Sequence, residues 1–153
     1  MKKRIALTAF ACAMILLLAA CSSSYSDASM KSGLTKGGYT VNQYTPAEFE
    51  ASQRQAVLKT TEMAGLKTVL MGIKEVKGEE NGILILVFDS IANAEKVGTT
   101  SGSTATEAMG LLMDWGRAHA PETELSTFGQ ANNVVYAGCR DARLAAGIKL
   151  ASD

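Results

Sequence analysis

The sequence is poor in the residues that build reactive centres. It has one histidine, His119, and three cysteines, at 12, 21 and 139. No two of these four stand at the spacing of a metal-binding pair, so no metal site and no cofactor are expected. No Gly-x-Ser-x-Gly elbow occurs, which removes the usual setting of a hydrolytic serine. Beyond residue 4 the lysines and arginines are scattered, and without a basic cluster to displace counterions that part of the chain has no electrostatic footprint for nucleic acid. Beyond residue 20 there is no apolar run of membrane-spanning length.

What is present begins at the amino terminus. Met1-Lys2-Lys3-Arg4 is followed by an apolar stretch from Ile5 to Leu18, then by Ala19-Ala20-Cys21. A charged start, a short apolar body and small residues before the end are the layout of a secretory signal, too short for a comfortable membrane span. Leu18-Ala19-Ala20-Cys21 resembles the lipobox of bacterial lipoproteins. The resemblance implies cleavage before Cys21, a lipid on its thiol (palmitate and related acyl chains) and attachment to a cell-envelope membrane. Two or more acyl chains give stable anchoring. Ser22 resembles the residue that follows the cysteine in lipoproteins sorted to the outer membrane, which implies the periplasmic face of that membrane in a Gram-negative bacterium.

Cleavage at that point removes Lys2, Lys3 and Arg4, leaving 12 basic and 15 acidic side chains from the 15 of each in the whole chain, a formal −3. Cys12 departs with the signal and Cys21 carries lipid, so Cys139 is left as a single thiol and no internal disulfide forms. Residues 1–20 therefore read as a signal peptide. Residues 21–44, rich in Ser, Gly, Lys, Thr and Asn, read as a flexible tether that buries too little to repay its ordering. Residues 45–153 are enough for one domain with one core.

Within that domain, Thr45-Pro46-Ala47-Glu48 is a helix start with a capping residue, a first-turn proline and a capping-box glutamate. The helix is expected to run to Gly65, burying Phe49, Ala56, Thr60 and Met63. Leu66 to Val76 alternates and predicts a half-exposed strand, with Gly78 to Gly82 as the turn. Ile83-Leu84-Ile85-Leu86-Val87-Phe88 is continuously apolar, as the centre of a sheet covered on both sides would be. Asp89 and Ser90 close it, either as functional side chains or as a helix cap. Ala108, Leu111, Leu112, Trp115 and Ala118 form a helical stripe that packs on the core, with Thr104 and Glu107 as its capping box and Pro121 ending it. Leu125 to Phe128 predicts a short strand, Gly129 to Asn133 a turn, Val134 to Tyr136 a further strand, and Cys139 to Lys149 a helix showing Arg140, Asp141 and Arg143 to solvent. The class is α+β: a small sheet with helices packed on it.

Several of these residues stand in an order similar to the OmpA-like domain that binds peptidoglycan. Members have a strand ending in Phe-Asp, a helix, a proline, a short strand and a Gly-His-Thr-Asp turn. Here Phe88-Asp89, the Trp115 helix, Pro121, Leu125 to Phe128 and Gly129-Gln130-Ala131-Asn132 follow that sequence, and Ala142-Arg143 matches a later helix arginine. The resemblance implies that Asn132 and Arg143 are ligand-binding residues, at the places that hold the ammonium and carboxylate of diaminopimelate. Asparagine stands where the family has aspartate, which removes the charge from half of that recognition.

The scarcity of reactive residues predicts a non-catalytic binding domain, and the two resemblances imply a lipid anchor and association with peptidoglycan, which the reach of a flexible tether would suit. The alternative is an accessory lipoprotein that docks on a protein partner of an envelope assembly or secretion machine. A small thiol-dependent or hydrolytic enzyme would have to use Cys139 or His119, and a buried inert thiol and a helix-terminal histidine explain those two residues more simply.

Overall fold

The computed structural model describes residues 24–54, 57–98, 103–120, 127–150 and 153. The elements in chain order are α1 (Asp27–Lys36), β1 (Thr40–Tyr44), α2 (Pro46–Ser52), a 3-10 turn (Thr60–Glu62), β2 (Leu66–Val76), β3 (Glu79–Phe88), α3 (Ile91–Gly98), α4 (Ser103–Ala118), β4 (Thr127–Ala131), β5 (Val134–Gly138) and α5 (Arg140–Ala145). The five strands form one sheet in the order β1-β2-β3-β5-β4, antiparallel throughout. This is the expected α+β class.

Strand β3 lies at the middle, and its side chains divide by parity. Ile83, Ile85 and Val87 pack on one face with Met30 and Leu34 of α1 and Ala142 of α5. Leu84, Leu86 and Phe88 pack on the other with Phe49 of α2, Val97 of α3 and Leu112 of α4. Helices on both faces explain why the run shows no alternation. The same cover reaches β2, where Val69 and Leu70 are both fully buried, so that strand is not the half-exposed one its alternation suggests.

The hairpin joining β2 to β3 turns at Lys77 and Gly78, with φ of 55° and 83°. Two consecutive positive φ values make the tight turn that matches strand twist, so β3 begins at Glu79 and Val76 pairs with Glu79. The predicted five-residue turn is thus two residues long.

The proposed tether needs correction. From Tyr25 to Tyr44 the chain is folded, as α1 and β1. Asp27 in the first turn and Lys36 in the last suit the helix dipole. Met30 and Leu34, four apart and so on one side of the helix, are buried, at 1% and 0% exposure. Gly33 permits the close approach of α5, since a Cβ there would stand 2.2 Å from the Ala145 carbonyl oxygen. Two apolar residues in the right register order a segment whose average composition is that of a linker.

Helix α2 has the predicted cap. Glu48 N–H donates to Thr45 Oγ1 at 3.3 Å, and Thr45 N–H donates back to Glu48 Oε2 at 2.8 Å. It stops at Ser52, well short of Gly65, because Gln53 turns its carboxamide onto the chain ahead. Leu58 N–H donates to Gln53 Oε1 at 2.7 Å, and Gln53 Nε2 donates to the Leu58 carbonyl at 3.1 Å. Phe49 and Thr60 are buried as expected; Ala56 lies outside the described residues.

Among the described residues no helix is long and apolar enough to cross a membrane.

Candidate functional site

The residues singled out in the sequence do not form one site. Cys21 lies outside the described residues. Asn132 sits in the β4–β5 turn with φ 49°, a left-handed conformation asparagine tolerates. Gly129, Gln130 and Ala131, expected in that turn, belong to β4 instead, where they pair with Tyr136, Val135 and Val134.

Arg143 is the larger departure. Expected on the solvent side of the last helix, it is 2% exposed. Its guanidinium forks onto Asp153, Nη1 to Oδ2 at 2.7 Å and Nη2 to Oδ1 at 2.6 Å, and Nη1 also donates to the Ile148 carbonyl at 2.8 Å. The fork holds the Asp153 carboxyl well below the usual carboxylate range, helped by a hydrogen bond from Leu150 N–H. Both terminal nitrogens are thus taken by an internal carboxylate, and the Nε, which has no hydrogen-bond partner, is buried, so no exposed fork is presented to a ligand carboxylate. Helix α5 ends at Ala145, and Ile148 N–H then donates to the Arg143 carbonyl at 3.1 Å.

The residues weighed for catalysis are likewise engaged, and apart. His119 stacks on Trp115 with ring centroids 4.0 Å apart and an interplanar angle of 11°. Its Nδ1 lies 2.8 Å from the Trp115 carbonyl oxygen and its Nε2 3.4 Å from Glu80 Oε1. Cys139 is fully buried in the core on the opposite face of the sheet from Trp115. Asp89 accepts a hydrogen bond from Asn93 Nδ2 at 2.8 Å, and bonds from Asn93 and Ser90 lower its carboxyl. Ser90 Oγ accepts from Asn93 N–H at 3.3 Å, so Asp89 and Ser90 act as the start of α3. Among the described residues no group of three His, Cys, Asp or Glu side chains could hold a metal ion.

A concave feature lies elsewhere. Residues 57–64, the end of α3 and Glu107, Ala108 and Leu111 of α4 border an open cleft of about 350 Å³. Val57, Leu58, Met63, Val97, Ala108 and Leu111 supply its apolar lining. Leu58 and Val97 reach the sheet beneath, in the same cluster as Leu86 and Phe88. Four charged residues, Lys59, Glu62, Lys96 and Glu107, stand around it, two of each sign.

One wall is held firmly. Thr60 Oγ1 donates to the Pro46 carbonyl at 2.6 Å, and Glu50 Oε2 receives Thr61 N–H at 3.1 Å and Thr61 Oγ1 at 2.7 Å. Those bonds from Thr61 keep the Glu50 carboxyl below its ordinary value. Lys59 reaches the same carboxylate at 3.6 Å, and Lys96 Nζ donates to Asn93 Oδ1 at 2.9 Å.

Among the described residues the lining is made of seven apolar side chains and four charged ones. A peptide or sugar needs directional partners for its amides or hydroxyls. The lysines and glutamates at its edge can supply such partners, so the cleft offers both apolar area and charge.

Comparison with known protein families, with curated proteins and with solved structures gives no match to this chain.

Proposed function

We propose that the protein is a lipid-anchored lipoprotein of the cell envelope, carried on the periplasmic face of the outer membrane of a Gram-negative bacterium, and that its domain binds non-covalently and without catalysis. The lipobox and the basic, apolar start before it support the anchor. The engagement of His119, Cys139 and Asp89 in structural contacts supports binding over chemistry.

The observation that carries the reading is the position of Tyr25. Its N–H donates to Asn133 Oδ1 at 2.6 Å, and its carbonyl accepts from Asn133 Nδ2 at 3.1 Å. Three serines stand between Cys21 and Tyr25, and the four Cα steps that join the two span at most about 14 Å when fully stretched. The domain is therefore held against the membrane, with no leash to carry it to the cell wall. Together with the internal engagement of Arg143, this favours a partner presented at the membrane surface over peptidoglycan.

The test is co-sedimentation with membranes and, separately, with purified peptidoglycan. The wild type should pellet with membranes, and the Cys21→Ser variant should pellet with neither. Retention of that variant on peptidoglycan would return the wall to the leading place.

A further inference from the structure

We propose that β1 is the pairing edge of a homodimer, in which a second copy of this chain lays its own β1 antiparallel against it about a two-fold axis at Asn42. The proposal names a partner for the binding domain. It rests on that reading for the kind of activity, and on the edge itself for the partner.

Strand β1 stands at one end of the sheet order and, among the described residues, pairs with β2 alone. Its outer side therefore presents backbone N–H and C=O groups at strand spacing, and another extended backbone is what satisfies such a row. Edge strands are commonly guarded by lysine, proline or a bulge. Thr40-Val41-Asn42-Gln43-Tyr44 has no charged residue and no proline, and its register with β2 runs unbroken from Thr40 beside Ile73 to Tyr44 beside Val69. Thr40, Asn42 and Gln43 are exposed.

The flanks of the edge select a second copy. Val41 packs on the α1 side of the sheet, and Tyr44 packs on the other side against Phe49, ring centroids 5.7 Å apart. Gln43 shares the face of Val41, and Asn42 that of Tyr44. On the Val41 face α1 runs antiparallel to β1. Asp27 Oδ2 accepts from Gln43 Nε2 at 3.3 Å, and Lys36 lies nine residues further on, about 13 Å back toward Thr40. A two-fold axis normal to the sheet at Asn42 reverses that polarity in the second copy, so Asp27 of each copy comes level with Lys36 of the other. Lys31, nearest the axis, is held on its own Gln43 Oε1 at 3.3 Å.

Ala28, Ser32 and Thr35 border an open groove of about 620 Å³ between α1 and Gln43, and their small side chains leave room for the neighbouring copy. Across the strands Thr40 meets Tyr44, Val41 meets Gln43 and Asn42 meets its mate, with no like charges opposed. The same axis suits one membrane. Tyr25 packs on the Val41 face, and rotation about the sheet normal keeps both copies of Tyr25 on that side.

The experiment uses the full chain in its own membrane. Asn42→Cys places two thiols opposite each other across the axis, where paired Cα atoms lie about 4.5–5.5 Å apart, within disulfide reach. Cys139 is fully buried and does not compete. Mild oxidation should give a covalent dimer of the chain. Glu79→Cys should give none, because Glu79 is exposed but level with Val76, five residues from the Met71 that pairs with Asn42.

Two differently tagged copies, produced together, then report pairing by co-capture from solubilised membranes. Asn42→Lys in both copies, or Asn42→Asp in both, should lower co-capture about tenfold, because like charges then face each other on the axis. Asn42→Lys in one copy and Asn42→Asp in the other should restore it, which requires both variants to be folded.

A disulfide from the Asn42→Cys variant to a different protein would overturn the second copy in favour of another strand donor. Co-capture that survives Asn42→Lys in both copies, or that the opposite pair does not restore, would overturn the edge. Palmitate on Cys21 is read on the same membranes. Label without a covalent dimer defeats the edge and leaves the anchor standing, whereas a covalent dimer without label supports the edge and defeats the anchor.

Discussion

The side-chain amide of Asn133 and the backbone of Tyr25 form a reciprocal pair, 2.6 Å from the Tyr25 nitrogen and 3.1 Å from its carbonyl. Residues 108 apart in sequence meet in the geometry of a strand pair, with a side chain replacing one of the strands. This contact ties the start of the described chain to the end of β3, where Asn133 also bonds the Phe88 carbonyl.

Asn133→Leu should therefore loosen the amino-terminal segment more than the rest. Asn133 is 4% exposed, and the change removes its bonds to Tyr25 and to the Phe88 carbonyl. The expected loss is about 2–3 kcal/mol, with faster amide exchange at Met30 than in β3. Uniform exchange across the domain would show that Tyr25 is not held through Asn133.

The Arg143–Asp153 pair predicts a pH dependence. The depressed Asp153 carboxyl contributes stability that is complete above its unfolded value near 4 and is lost as pH falls below it. Asp153→Asn should lower the melting temperature at pH 7, and the gap from wild type should narrow below about pH 4. A gap that is constant with pH would mean that the ionised carboxylate adds nothing.

Asn132→Asp introduces an acid in this turn, where the resemblance to peptidoglycan-binding domains would place one. Arg143 cannot complete the recognition while Asp153 occupies it. The variant should bind purified peptidoglycan no better than wild type. A gain of about tenfold, reversed by Arg143→Ala, would show that the pair opens to a ligand.

Trp115→Ala removes a ring that packs on the face-covering cluster and stacks on His119. The ring is partly buried, so the expected loss is about 3 kcal/mol, read by thermal or denaturant unfolding. An unchanged midpoint would place the ring outside the core's energetics.

Much of the architecture was legible because it is local. The uniform apolar run of β3 announced cover on both faces, and the α4 stripe announced a packed helix, with Leu112 at 0% exposure. Thr45, Pro46 and Glu48 marked the start of α2 to the residue. What escaped depends on distant partners. Helix α1 was hidden because Met30 and Leu34 are its only two buried side chains, and their burial needs α5 and the sheet. The burial of Arg143 follows from a carboxylate ten positions away, across a fold-back that no periodicity marks. Gln53 ended α2 by a side-chain bond that propensity does not register. The cleft is assembled from three separate segments, each of which reads as ordinary core when taken singly.

The central claim is that the domain is fixed to the membrane through lipid on Cys21, and metabolic labelling with an alkyne palmitate tests it most directly. The wild type should carry the label and fractionate with the outer membrane, because the acyl chains supply its membrane affinity. Cys21→Ser should carry none and should accumulate unprocessed or released. Undiminished label in Cys21→Ser, or an unlabelled wild type, would contradict the account.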